Sequence, residues 1–193
     1  MSGLRAAPAG CMIVVVGPSG AGKDSLMALA ANRLAERSDI AFVRRMVTRA
    51  GDAGGEAHWP VSPDEFEAAA VAGGFAVFWR AHGHGYGIPA ATLEAVRSGR
   101  CLVANGSRAA LADFAAAYPS LAVIRVTADR DCLMARLTAR GRETAAEVSA
   151  RLDRPEPALP AGLAVYTVDN SGDLAEAGRR FAALVEEIAD RQA

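Results

Sequence analysis

Met12–Val16 is an unbroken apolar run, four of its five residues branched at Cβ or otherwise aliphatic. Such a run predicts a strand covered on both faces, as in a parallel sheet. A glycine-rich turn follows it. In Asp24–Arg37 the residues Leu26, Leu29, Ala30 and Leu34 recur at helical spacing. Ala41–Val47 reads as a short strand carrying Arg44 and Arg45, and Arg49–Pro60, with three glycines, as a loop. Ser62-Pro63-Asp64-Glu65 predicts a helix start: Ser62 caps, Pro63 suits the first helical position, and Glu65 completes a capping box. That helix ends near Gly73-Gly74. Phe75–Arg80 predicts a strand, His82–Gly87 a glycine-histidine turn, and Pro89–Ser98 a helix closed by Gly99. Arg100–Ala104 and Leu121–Val126 are further buried-strand candidates, separated by a helix over Ser107–Tyr118. Asp129–Leu152 is helical, rich in arginine and interrupted at Gly141, with prolines at Pro155, Pro157 and Pro160 ending it. Leu163–Val168 predicts a last strand and Asp173–Asp190 a closing amphipathic helix. Strands alternating with helices predict an α/β fold with a mainly parallel central sheet and helices on both faces.

Composition narrows the function classes. The chain has 193 residues, 51% of them hydrophobic, which suits one compact domain without disulfide or metal staples. The formal charge is −1, so bulk charge gives no reason to expect nucleic acid or a membrane surface as partner. Any anion site must come from a local cluster of basic groups. Cys11, Cys101 and Cys132 form no C-x-x-C pair and lie beside apolar residues; they read as buried free thiols of a reducing cytoplasm. No targeting or membrane-spanning segment is read. The oligomeric state stays open, a homodimer among the options. The Ala/Gly/Pro-rich residues 1–10 are expected to form a flexible tail, and 11–193 one domain.

Gly17-Pro18-Ser19-Gly20-Ala21-Gly22-Lys23 lies between a buried strand and a helix and fits G-x-x-x-x-G-K in the context that motif requires. Glycines let backbone N–H groups turn inward, the helix N-terminus adds positive potential, and Lys23 brings a cation to the β- and γ-phosphates of ATP. The position after the lysine usually carries Ser or Thr, whose hydroxyl meets Mg²⁺; here it is Asp24, with Ser25 next. Either offers a hard oxygen to the metal. Asp24 also suits the first helical turn on electrostatic grounds alone.

Two further clusters are basic. Arg44, Arg45 and Arg49 converge near one strand end, and arginine forks match phosphate oxygens; a solvated surface strand is the plainer reading. His58, His82, His84 and Tyr86 share this excursion but lack the spacing of a zinc site, and Trp59 and Trp79 are expected to pack it. Arg136, Arg140, Arg142, Arg151 and Arg154 line the later helical stretch. They read either as a salt-laced helix with Glu143 and Glu147 or as a lid whose arginines stabilise a transferring phosphoryl group.

The chain resembles the guanylate kinase family in the phosphate loop, Thr48-Arg49, Gly55-Glu56, His82–Gly87, and Arg136–Thr144 through Ala150–Leu152. The resemblance implies a nucleoside-monophosphate-kinase-like P-loop core, a small substrate lobe over about 41–90 and an arginine-rich lid over about 136–156. It departs where those kinases read guanine. Their Glu-Trp segment aligns with Val77-Phe78, and the hydroxyl residue after Tyr-Gly is Ile88. A site without those partners leaves guanine N–H groups unpaired, a large penalty. The strand that carries a metal-side Asp in guanylate kinases is here Arg100–Gly106, with no carboxylate; Asp24 is read as its replacement across the magnesium site.

The same departures look like the ribose 1,5-bisphosphate phosphokinases of bacterial phosphonate degradation. Gly22–Leu26, Arg45 with Thr48-Arg49, Gly55–His58, Tyr86–Pro89 and Asn105–Arg108 resemble that group. It implies ATP and Mg²⁺, a phosphorylated sugar as acceptor and 5-phosphoribosyl 1-diphosphate as product. Lys23 and the Gly17–Gly22 backbone then hold ATP. Arg45, Arg49 and Tyr86, with Glu56, His58 and Asn105, seat the acceptor, and Arg136, Arg140 and Arg151 clamp the transfer. The competing expectations are a true nucleoside-monophosphate kinase, a catalytically silent guanylate-kinase-like binding module, and, more distantly, another P-loop sugar kinase.

Overall fold

The computed structural model describes residues 10–49, 57–141, 144–153 and 158–191. Five strands form a parallel sheet: β1 (Cys11–Val16), β2 (Ile40–Phe42), β7 (Cys101–Asn105), β8 (Leu121–Thr127) and β9 (Ala164–Asp169). Their order is β2-β7-β1-β8-β9. Every residue of β1 is buried, which is why its sequence is continuously apolar rather than alternating.

Both faces of the sheet are covered. On one, Ile13, Val15 and Ile124 meet Leu26 of α1 (Lys23–Arg33) and Phe181 and Val185 of α7 (Leu174–Asp190). On the other, Met12, Val14 and Val123 meet Val96 of α3 (Ala91–Arg97) and Leu111 and Phe114 of α4 (Leu111–Ala117). Complete burial of such a side chain contributes about 1.5–3 kcal/mol, so these two clusters carry the fold.

A second sheet was not foreseen as such. It joins β3 (Met46–Val47), β4 (Trp59–Pro60), β5 (Phe75–Ala81) and β6 (His84–Pro89) in the order β4-β3-β6-β5. Only β3 and β4 pair in parallel; β3–β6 and β5–β6 are antiparallel. The expected strand Ala41–Val47 is therefore divided between two sheets, and Val43–Arg45 cross from one to the other. Periodicity over seven residues does not reveal a change of partner.

The expected turn over His82–Gly87 shrinks to His82-Gly83. These have φ of 52° and 75°, the left-handed pair that a two-residue hairpin favours, and Ala81 faces His84 across the ladder. Glycine-rich β6 reads poorly as a strand because packing imposes its glycines: a Cβ on Gly87 would lie 2.3 Å from the Phe75 ring.

The helix α2 (Pro63–Val71) starts as expected. Ser62 accepts from the Glu65 N–H, and Glu65 accepts from the Ser62 N–H. Its Phe66 packs on Phe75 and Phe78, with ring centroids 4.8 Å and 6.2 Å away. The arginine-rich stretch is two helices, α5 (Arg130–Ala139) and α6 (Ala145–Leu152), with Gly141 left-handed at φ 64° and a capping box at Thr144 restarting the chain.

Smaller expectations change as well. Trp59 is 46% exposed, so it does not pack the lobe; its ring lies under the Arg44 guanidinium at 5.5 Å. Cys11 and Cys101 are buried free thiols, but Cys132 is only half-buried and its thiol donates to the Ser171 carbonyl. Gly10 is tied to the Val96 carbonyl, and residues 1–9 lie outside the described set. No described helix is long and apolar enough to cross a membrane.

Candidate active site

The phosphate loop forms where β1 ends and α1 begins. Gly17, at φ 154°, passes so close to β8 that a Cβ would lie 2.2 Å from the Val126 carbonyl oxygen. Gly22 caps α1 in the left-handed region, at φ 89°, and no side chain caps the helix. Its first N–H groups therefore face the loop with the positive end of the helix behind them. Lys23 arches back over this loop, its Nζ donating to the carbonyls of Gly17 at 2.8 Å and Pro18 at 3.1 Å.

Lys23 also reports what surrounds it. Burial lowers its pKa to about 8; Asp24 opposes the shift, while Arg45, Arg108 and Arg140 reinforce it. Three separate segments thus contribute positive charge that acts on Lys23. Asp24 accepts a 2.8 Å hydrogen bond from Asn105 Nδ2 at the end of β7. Asn105 is 5% exposed, and this bond orients the Asp24 carboxylate. Ser25 is exposed on the first turn of α1. Asp24 and Ser25 are adjacent hard-oxygen donors beside the phosphate loop, a set that fits Mg²⁺. Among the described residues no group of three or more His, Cys, Asp or Glu is placed to hold a metal by itself. A magnesium ion shared with substrate phosphates needs no such cage.

Asn170 escaped the sequence reading. It is 1% exposed and follows β9. Its Nδ2 donates to the Ala21 carbonyl at 2.7 Å, fastening the phosphate loop to the far edge of the sheet. Arg136 closes over this junction, its guanidinium donating to the Asn170 carbonyl at 2.9 Å and lying 3.5 Å from that of Gly20. Arg140 ends α5 and is exposed, and Arg151 is half-buried on α6. The only sequence signal for Asn170 was its place directly after a buried-strand candidate, where phosphate-site loops emerge from parallel sheets.

The small sheet organises the other basic cluster. His84 Nδ1 donates to the Thr48 carbonyl, and Thr48 Oγ1 accepts from the Gly85 N–H. His58, 5% exposed, donates from Nε2 to the Arg49 carbonyl at 3.0 Å. Both histidines therefore fix the backbone that presents Arg49. Arg45 lies over the rings of Tyr86 and Trp79, at 5.1 Å and 5.8 Å from their centroids. Glu56, Arg142, Glu143 and Arg154 lie outside the described residues. Val77 and Ile88, the positions aligned with guanine-reading residues, face each other across β5 and β6 and are 3% and 0% exposed. They belong to the core and present no polar group.

Fold and site together define a P-loop kinase of guanylate-kinase-like architecture. A guanylate kinase from Anaplasma phagocytophilum superimposes with a TM-score of 0.64 at 19% identity, over 93% of this chain and 86% of that one. A gluconokinase from Sinorhizobium meliloti gives 0.53 at 23% identity, covering 97% of both chains. Sequence comparison is sharper. The ribose 1,5-bisphosphate phosphokinase PhnN of Rhizobium etli is 50% identical over 177 residues, spanning 92% of this chain and 90% of that protein. The enzymes of the same name from Agrobacterium fabrum and Desulfomicrobium baculatum are 47% and 44% identical, over 97% and 94% of their lengths. The chain belongs to the ribose 1,5-bisphosphate phosphokinase family. No protein-family model matches it.

Proposed function

We propose that this chain transfers the γ-phosphoryl group of ATP to the 1-phosphate of ribose 1,5-bisphosphate, giving 5-phospho-α-D-ribose 1-diphosphate and ADP. Family membership at 50% identity carries the reading. The site's chemistry supports it: the phosphate loop is intact, and the positions aligned with base-reading residues are the buried apolar pair Val77 and Ile88.

A phosphate oxygen of the acceptor attacks the γ-phosphorus, the bond from that phosphorus to the bridging β,γ-oxygen breaks, and ADP departs with the electron pair. A phosphate monoester has its second pKa near ~6, so the nucleophile is already largely anionic and no protein base is required. Catalysis is then alignment and charge stabilisation. Backbone N–H groups of Gly17–Gly22 and Lys23 hold the ATP phosphates. Arg45, Arg49 and Tyr86 seat the acceptor, with Glu56 as a further contact; His58 and Asn105 act through the groups they hold. Arg136, Arg140 and Arg151 close over the transfer as the lid of about 136–156. Asp24 and Ser25 are the residues that would hold a magnesium ion, which would supply positive charge against the charge of the nucleotide phosphates. In phosphonate catabolism in the cytoplasm, ATP is at hand.

The deciding experiment incubates the protein with ATP, Mg²⁺ and either ribose 1,5-bisphosphate or GMP. ADP release is followed and the product identified by mass. The bisphosphate should be the preferred recipient. Preference for GMP overturns the reading.

A further inference from the structure

Cys11 opens β1 and Cys101 opens β7. The two strands are neighbours in the parallel sheet, and these residues are partners in its register. Both side chains belong to the core cluster on the α1 and α7 face, so the two thiols lie on one side of the sheet. Both are buried, and their sulfurs are 2.6 Å apart although 90 positions separate them in sequence. The phosphate loop leaves the other end of β1, and the phosphoryl transfer proposed above uses neither thiol. Cys132 differs: it is half-buried and donates to the Ser171 carbonyl.

Neighbouring strands run about 4.8 Å apart, inside the roughly 4.4–6.8 Å between Cα atoms that a disulfide bridges. A sulfur–sulfur bond is about 2.0 Å long, so small side-chain rotations bring these two sulfurs to bonding distance. Their hydrogen bond acts on the two thiols in opposite directions. It lowers the pKa of Cys11, against the effect of burial, and raises that of Cys101, which burial raises further. Cys11 is therefore the sulfur that reaches the nucleophilic thiolate more readily.

We propose that Cys11 and Cys101 are a modification site, which hydrogen peroxide oxidises in the folded protein to a disulfide that staples β1 to β7. The Cys11 thiolate attacks one peroxide oxygen, the O–O bond breaks, and hydroxide leaves with the electron pair and takes up the proton that Cys11 gave up. Cys11 is then a sulfenic acid. The Cys101 sulfur attacks the Cys11 sulfur, the S–O bond breaks, and water departs with the Cys101 proton. Both sulfurs are oxidised and both peroxide oxygens end as water. The thiols sit at the first residue of their strands, where local opening admits so small an oxidant. The site is independent of the substrate assignment, and its test is the same whichever acceptor is phosphorylated.

The test treats the reduced, folded protein with hydrogen peroxide, removes the excess, and then counts free thiols after denaturation. Wild type should keep one of its three and lose two hydrogens by mass. Non-reducing tryptic mapping should join the peptide 6–23, which holds Cys11, to 101–108, which holds Cys101, and leave Cys132 alone in 131–136. The bond closes a long loop, so the thermal midpoint of the oxidised protein should rise by about 4–16 °C. Dithiothreitol should return it to the reduced value. C11A and C101A should each lose both the bond and the rise. Mapping of wild type identifies the pair without a variant, so the test stands even where one of them does not fold. The proposal is overturned by three thiols surviving peroxide, by a bond that includes Cys132, or by oxygen added to either sulfur in place of a bond. A midpoint that does not rise, or that rises equally in C11A or C101A, overturns it as well.

Discussion

Asn170→Ala isolates the strut that holds the phosphate loop. In the native fold the Asn170 amide donates to the Ala21 carbonyl at 2.7 Å, and both residues are buried, at 1% and 0% exposure. Alanine leaves that carbonyl without its partner in a dry site, at a cost of about 1–3 kcal/mol. For a domain of this size each kcal/mol moves the thermal midpoint by about 2–4 °C, so the expected fall is about 2–12 °C. The same free energy stabilises the loop conformation that binds ATP. Where the loss falls wholly on that conformation, the ATP dissociation constant rises between about fivefold and about 150-fold. Asn170→Asp should be worse, because it sets a carboxylate oxygen against a carbonyl oxygen. Differential scanning calorimetry and isothermal titration with ATP read the two effects separately. An Asn170→Ala protein with wild-type midpoint and wild-type ATP affinity refutes the strut. So does a defect confined to the acceptor KM.

Four further outcomes are expected. Lys23 is charged below about 8 and neutral above it in the free protein, so ATP affinity should fall as pH rises through about 8, and Lys23→Met should remove that dependence. Between about 8 and 10.5 the unfolded chain binds more protons at this lysine than the folded one, so its own contribution to stability should rise with pH across that window; a difference titration of wild type against Lys23→Met measures it. Asp24→Asn keeps an oxygen to accept from Asn105 but removes the negative charge. The Mg²⁺ concentration for half-maximal rate should rise and turnover should drop; unchanged values reduce Asp24 to a helix-start residue. Ser62→Ala removes one half of the α2 capping box and should cost about 1 kcal/mol of stability, seen as a lower midpoint with ATP affinity unaltered.

Much of the candidate site was legible because its chemistry is local. The phosphate loop needs a buried strand, glycines at fixed offsets and a helix, and all three are contiguous between Met12 and Arg33. The capping boxes at Ser62 and at Thr144 are local in the same sense, although only the first was read. Contacts between distant segments were not legible. Asn105 meets Asp24 across 81 positions, and Asn170 meets Ala21 across 149. Asn105 was singled out by its resemblance to the family and Asn170 was marked only by following a strand, but in neither case did the sequence show the partner. His58 and His84 were read as candidates for substrate contact; that each also holds a backbone carbonyl at Thr48-Arg49 was not legible. A histidine's donor says nothing of its acceptor until the chain is folded.

By itself the sequence determined the parallel core and the phosphate loop, since these depend on periodicity and glycine placement within short windows; the missing guanine-reading groups were legible only through the resemblance to guanylate kinases. Tertiary structure alone decided which charges act on Lys23: Arg45, Arg108 and Arg140 come from three segments, and all three lower its pKa only once the chain is folded. Electrostatic attraction and repulsion act through space. The fold must set those distances before basic residues far apart in the chain become one phosphate site.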